Sequence, residues 1–146
     1  MYIDNYAEFC DATAITVTTT NALIGDVIDL GAAPTTRNLG SGEQVYLVLT
    51  IDDAVTSGGS ATVTFTLLSD STANLATSAT THWTSGAIAK ATLVAGYKFC
   101  VPLPHGNYER YLGLFAATGT AELTGGTCSA SLVLDAPYWV ALPDAL

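Results

Sequence analysis

Basic side chains are scarce: four Lys and Arg stand against thirteen Asp and Glu in 146 residues, for a net charge of −9. Binding a phosphate backbone needs clustered Lys and Arg to displace counterions, so this balance excludes nucleic acid from the expected partners. Charge of either sign is sparse as well. Only 12% of residues are charged, about half of the ~25% usual in soluble domains, so each charged group must solubilise a large neutral area. Part of that area is expected to lie against a partner. No run approaches the roughly 18 apolar residues of a membrane span, so no membrane is expected. The opening MYIDNYAEFCDA carries Asp4, Glu8 and Asp11 and lacks the basic and apolar regions of a secretory signal. A soluble chain made in a cytoplasm is the expectation. Cys10, Cys100 and Cys128 are odd in number and far apart, with no CxxC pair. That spacing argues against a disulfide framework or a zinc site and for small buried hydrophobes.

Helical periodicity is also lacking. Threonine, valine and alternating apolar patterns recur instead, about every ten residues, between clusters of Gly, Asn, Asp and Ser. In QVYLVLTID, Val45, Leu47, Leu49 and Ile51 share one face and Tyr46, Val48 and Thr50 the other. SATVTFTLLS places Val63, Phe65 and Leu67 inward and Thr62, Thr64 and Thr66 outward. DDAVTSGGS between them reads as a hairpin-type turn. Further strands are expected at AITVT, DVIDL, AIAKATL (the weakest), YKFCVPL, YERYLGLF and CSASLVLD, and Asp70 to Gly86 reads as a long polar loop, with short edge strands or a helical turn as the alternative. Eight or so strands without a linker predict one all-β domain, a jelly-roll β-sandwich whose two antiparallel sheets bury alternating faces.

No residue set converges on chemistry. In VPLPHGNYERYLGLF, His105 sits in a turn with no GxSxG or Cys-His signature beside it. Glu109 and Arg110 are adjacent on an expected strand and so point to opposite faces, one of them inward or into an interface. Asp52, Asp53, Asp26 and Asp29 lack the DxDxDG spacing of a calcium loop and read as solvated or turn-capping. Gly58-Gly59 and Gly125-Gly126 lack the Lys and helix of a phosphate loop and read as turns. His82 and Trp83 could stack on a sugar, which makes a carbohydrate-binding module the alternative function. No enzyme, cofactor or metal is expected.

The final strand runs into APYWVALPDAL, where Pro137 and Pro143 bracket Tyr138, Trp139, Val140, Ala141 and Leu142. An apolar terminus of this kind is expected to dock. The chain therefore divides into a sandwich over 1–135 and an arm over 136–146, with Pro137, Tyr138, Trp139, Val140 and Leu142 as partner-binding residues.

In order, MYIDNYAEFCDATAIT, VIDLG, GEQVYLVLTID, ATLVAGYKF, the VPLP-turn-ERYLGL unit and SLVLD resemble the capsid cement, or decoration, proteins of tailed bacteriophages with podovirus-type heads. The resemblance runs from Met1 to about Asp135. It implies a jelly-roll subunit on the outer surface of a virion, assembled in the host bacterial cytoplasm, that ties neighbouring major capsid subunits together and has no catalytic residues. A homo-oligomer suits a repeating lattice, a dimer ahead of a trimer.

Overall fold

Alternation of threonine with large apolar side chains has its expected result over Thr62–Asp70, where Val63, Phe65 and Leu67 are fully buried. The computed structural model describes residues 4–15, 21–32, 39 and 42–135. A 3-10 turn at Asn5–Ala7, capped by the Asp4 carboxylate accepting from the Tyr6 N–H, leads into the strands. These are β1 (Glu8–Ala14), β2 (Ala22–Leu23), β3 (Ile28–Asp29), β4 (Tyr46–Thr56), β5 (Thr62–Asp70), β6 (Thr80–Thr84), β7 (Ile88–Ala89), β8 (Lys98–Pro102), β9 (Tyr111–Gly119) and β10 (Gly125–Val133).

The first sheet has the order β1-β10-β4-β8, and the second has β2-β9-β5-β6. In the second sheet β3 continues β2 along β9, and β7 continues β6 along β5. With each interrupted pair counted as one strand, the described residues form two four-stranded sheets. Every pairing is antiparallel. The chain enters the first sheet, crosses to the second, and keeps returning, which is the two-Greek-key winding of a jelly roll. The all-β sandwich expected from alternation is the fold.

Between the sheets lie Leu47, Leu49 and Ile51 of β4, Phe65 and Leu67 of β5, and Leu112 and Leu114 of β9. Phe99 of β8 sits at one end of this core, with its ring centroid 5.8 Å from Phe65 and 5.4 Å from Trp83. Fully burying such side chains contributes roughly 1.5–3 kcal/mol each.

Three local expectations need correction. β4 and β5 belong to different sheets, so 57–61 carries the chain across the sandwich and is no hairpin. For Asp70 to Gly86 the alternative holds, and it contains β6, because Leu67 and Leu68 pair with Trp83 and Thr81. Gly125 and Gly126 open β10 opposite Thr56, and Gly126 (φ +133°) lies where a Cβ would come 3.0 Å from the Val55 Cα. Only glycine fits that irregular pairing. The first strand is Glu8–Ala14, ahead of AITVT, most of which lies outside the described residues.

Candidate interaction surface

The outer faces of the two sheets differ in chemistry. On the second sheet the residues that alternate with the core positions are Thr62, Thr64, Thr66 and Leu68 of β5 and Gly113, Phe115 and Ala117 of β9. Phe115 lies opposite Thr66 and Ala117 opposite Thr64. On its other flank Phe115 faces Leu23 of β2, which is exposed. None of these outward positions carries charge.

Leu75 reaches this face from the β5–β6 connection. A Cβ on Gly113 would meet Leu75 Cδ1 at 2.7 Å and Leu23 Cδ1 at 3.0 Å, so the bare glycine is the floor on which both leucines rest. Leu75 is buried although its φ is +50°. That backbone strain costs about 1–3 kcal/mol, which burial of the side chain offsets with roughly 1.5–3 kcal/mol. The connection is held down by Asp70, which has no exposed surface. Its carboxylate accepts from the N–H groups of Thr72, Thr77 and Ser78 and from the Ser71 hydroxyl. Desolvation pushes its pKa up, but these donors together outweigh it and leave the carboxyl below its ordinary value.

The first sheet turns carboxylates outward. The Ser129 hydroxyl donates to Asp52 at 2.7 Å, lies 3.3 Å from Asp11, and accepts the Ala12 N–H at 2.9 Å. Asp53 accepts from Thr127 at 3.0 Å. Asp52 and Asp53 are therefore strand residues that tie β4 to its neighbours. Beside β1 a groove of about 690 Å³ is lined by Asp4, Glu8, Asp11, Asp26 and Asp29, among others. Among the described residues no group of His, Cys, Asp and Glu is arranged to hold a metal ion.

The corner formed by VPLPHGNYER is tied at several points. Leu103 is buried, His105 is exposed, and the Tyr108 hydroxyl donates to the Pro104 carbonyl at 2.7 Å, closing the turn. The Tyr108 ring stacks on His82 with centroids 4.0 Å apart. The Ser69 Oγ lies 2.7 Å from His82 Nε2 and accepts the Glu109 N–H at 3.1 Å. The hydroxyl keeps a second lone pair beside that N–H, so the imidazole tautomer sets which of Ser69 and His82 donates across the 2.7 Å contact. Burial lowers the His82 pKa below 6.5, with the Glu109 charge opposing. The pair has the spacing of a Ser-His dyad, but Ser69 has no exposed surface, so no substrate carbon reaches its oxygen.

Of the two places expected for one of Glu109 and Arg110, the core receives neither, because both precede β9. Glu109 accepts from Thr80, and Arg110 binds Asp29 through two contacts of 3.0 and 2.8 Å. This pair, together with the Gly31 N–H, brings the Asp29 carboxyl down to about 2. Distant pairings such as Asp29 with Arg110 leave no sequence signal. His82 and Trp83, the expected sugar platform, are strand residues whose rings lie against Tyr108 and Phe99. The proposed contact residues Pro137, Tyr138, Trp139, Val140 and Leu142 lie outside the described residues.

A family model, Bbp16, matches residues 9–132, which is the sandwich from β1 to β10. The chain belongs to the Bbp16 family. A search of curated proteins finds no match. The matched span includes both outer faces and the Tyr108 corner, and it stops before the C-terminal eleven residues.

Proposed function

We propose that this protein is a capsid cement subunit of a tailed bacteriophage, which binds the outer surface of the head and bridges neighbouring major capsid subunits. The observation that carries this reading is the charge-free stretch of the second sheet's outer face from Thr62 to Leu68 and Gly113 to Ala117, bounded at the Tyr111 end by the Asp29–Arg110 pair. A broad neutral sheet face suits contact with a protein surface, where fully covered positions are depleted of charge. The opposite face, with Asp11, Asp52 and Asp53, repels neighbouring particles. The resemblance of the ordered segments to podovirus-type cement proteins supports the same reading. No catalytic residue, cofactor or metal enters it. A homo-oligomer, dimer before trimer, multiplies modest contacts on a repeating shell through effective concentration. The arm 136–146, with Pro137, Tyr138, Trp139, Val140 and Leu142, adds an apolar contact to a neighbouring subunit or the shell.

Co-sedimentation with expanded, undecorated shells tests this, using the full chain, a chain ending at Asp135, and Thr64→Lys. Saturable binding at a fixed ratio to capsid subunits is the expected result, with loss in Thr64→Lys and weakening on truncation. Absence of binding by a folded oligomer overturns the proposal. Unchanged binding in Thr64→Lys moves the contact away from the second sheet, and unchanged binding on truncation removes the arm's role.

A further inference from the structure

Two of the three cysteines, far apart in sequence, meet inside the sandwich. Cys10 of β1 and Cys128 of β10 are both buried, with their sulfurs 4.0 Å apart and the Cys10 thiol 3.5 Å from the Cys128 carbonyl. Among the described strands β1 pairs with β10 alone, and on its other flank the Asp26 N–H donates to the Phe9 carbonyl at 2.8 Å. Its register shifts between Glu8 and Cys10 and again between Cys10 and Thr13, with Ala12 at φ +43°. Cys10 therefore sits at the least regular point of β1, where local opening is easiest.

We propose that Cys10 and Cys128 are a latent disulfide pair, which closes when the protein leaves a reducing compartment and staples β1 to β10. The thiols touch without being bonded, so a disulfide requires their side chains to close by about 2 Å to reach the bonded distance. Cys10 lines two surface grooves, the one of about 690 Å³ and a second of about 230 Å³, which give a reagent a path to it. Glu8, Asp11 and Asp26 around that path favour a neutral oxidant over an anionic one. The hydrogen bond with Cys128 lowers the Cys10 pKa against the opposing effect of burial, and Cys128 is pushed upward. Cys10, the one of the two that lines the grooves, is the attacking thiol and reacts as its thiolate.

With a small neutral disulfide RSSR as oxidant, the Cys10 thiolate attacks one sulfur, the S–S bond breaks, and RS⁻ leaves and takes up a proton. Cys128 then loses its proton and attacks the Cys10 sulfur of the mixed disulfide, expelling the second RS⁻. The two cysteines give up two electrons and two protons, which end on two RSH. The bond closes a loop of 119 residues (128 − 10 + 1), long enough for a large restriction of the unfolded chain.

The test is incubation of the full chain with bis(2-hydroxyethyl) disulfide, followed by thiol titration in denaturant, intact mass and peptide mapping. Expected are a fall from three titratable thiols to one, a mass loss of about 2 Da, and a peptide linking Cys10 to Cys128. The thermal midpoint should rise by roughly 5–15 °C over the reduced chain. Three remaining thiols, a stable mixed disulfide, or pairing through Cys100 would overturn the pair. A closed bond without a rise in midpoint would overturn the staple. The outcome does not depend on whether the protein binds a capsid.

Discussion

His82→Ala is the most informative single substitution, because the side chain makes two separable contacts. Loss of the stack on Tyr108, 4.0 Å between centroids, removes about 0.5–1.5 kcal/mol. Loss of Nε2 leaves a fully buried Ser69 hydroxyl without its 2.7 Å partner, which costs about 1–3 kcal/mol. The sum is about 1.5–4.5 kcal/mol, and at about 3 °C per kcal/mol for a chain of this size it lowers the thermal midpoint by roughly 5–13 °C. Scanning calorimetry or urea unfolding reads this directly. Ser69→Ala removes the same contact and also orphans the Glu109 N–H. The double variant should therefore cost less than the two singles combined, by about 0.5–3 kcal/mol.

The pH dependence supplies an independent check. The folded His82 has a pKa below 6.5, because burial disfavours the imidazolium more than Glu109 supports it. The unfolded chain therefore binds the proton more readily, and stability falls as pH drops below 6.5 while staying level above it. His82→Ala should flatten the profile between about pH 6.5 and 5.5, before carboxylates begin to titrate. A wild-type profile that is already flat, or strictly additive single and double variants, would refute the network as described.

Two further predictions use other contacts. Arg110→Ala should return the Asp29 carboxyl from about 2 toward its ordinary 3.8 in an NMR titration. The stability from that pair is present above pH 3.8 and lost as pH falls toward 2, so the variant should differ least from wild type in strong acid. Gly113→Val should displace Leu75, whose Cδ1 lies 2.7 Å from where the new Cβ would stand, and cost about 1–3 kcal/mol by overpacking. Faster proteolysis within 71–79 would accompany it, and an unchanged cleavage rate would show that Leu75 does not hold that connection down.

The legible parts of the fold are those in which one face of a strand meets the core. β5 alternates Thr62, Thr64 and Thr66 with Val63, Phe65 and Leu67, and the burial follows that alternation residue by residue. β6 is hidden because THW sits in a polar stretch and is made a strand by β5 and by the Tyr108 and Phe99 rings, all supplied by other segments. The connection after β4 departs from expectation for a related reason. Turn residues announce a reversal, but they carry no information on whether the next strand pairs with the last or crosses to the other sheet. Cys10 and Cys128 likewise show as a pair only once β1 and β10 are adjacent.

The same winding that hides these pairings creates the asymmetry on which the functional reading rests. A jelly roll gives each sheet one face to the core and one to the outside, so the outward residues of β5 and β9 share a surface although no short stretch of sequence contains it. A strand that needed only solubility would place Lys or Glu at positions such as Thr64, Thr66 and Ala117, as native sheets commonly do to discourage association. Here Asp11, Asp52 and Asp53 stand on the first sheet, while the second sheet holds its charges, Asp29 with Arg110 and the buried Asp70, at the Tyr111 end of β9. With so few charges in the chain, that placement leaves the stretch from Thr62 to Leu68 and Gly113 to Ala117 without one. Thr64→Lys therefore tests more than one contact: it places a charge at the middle of the uncharged stretch while leaving the core untouched. A folded Thr64→Lys protein that no longer attaches to shells is the outcome that this reading requires.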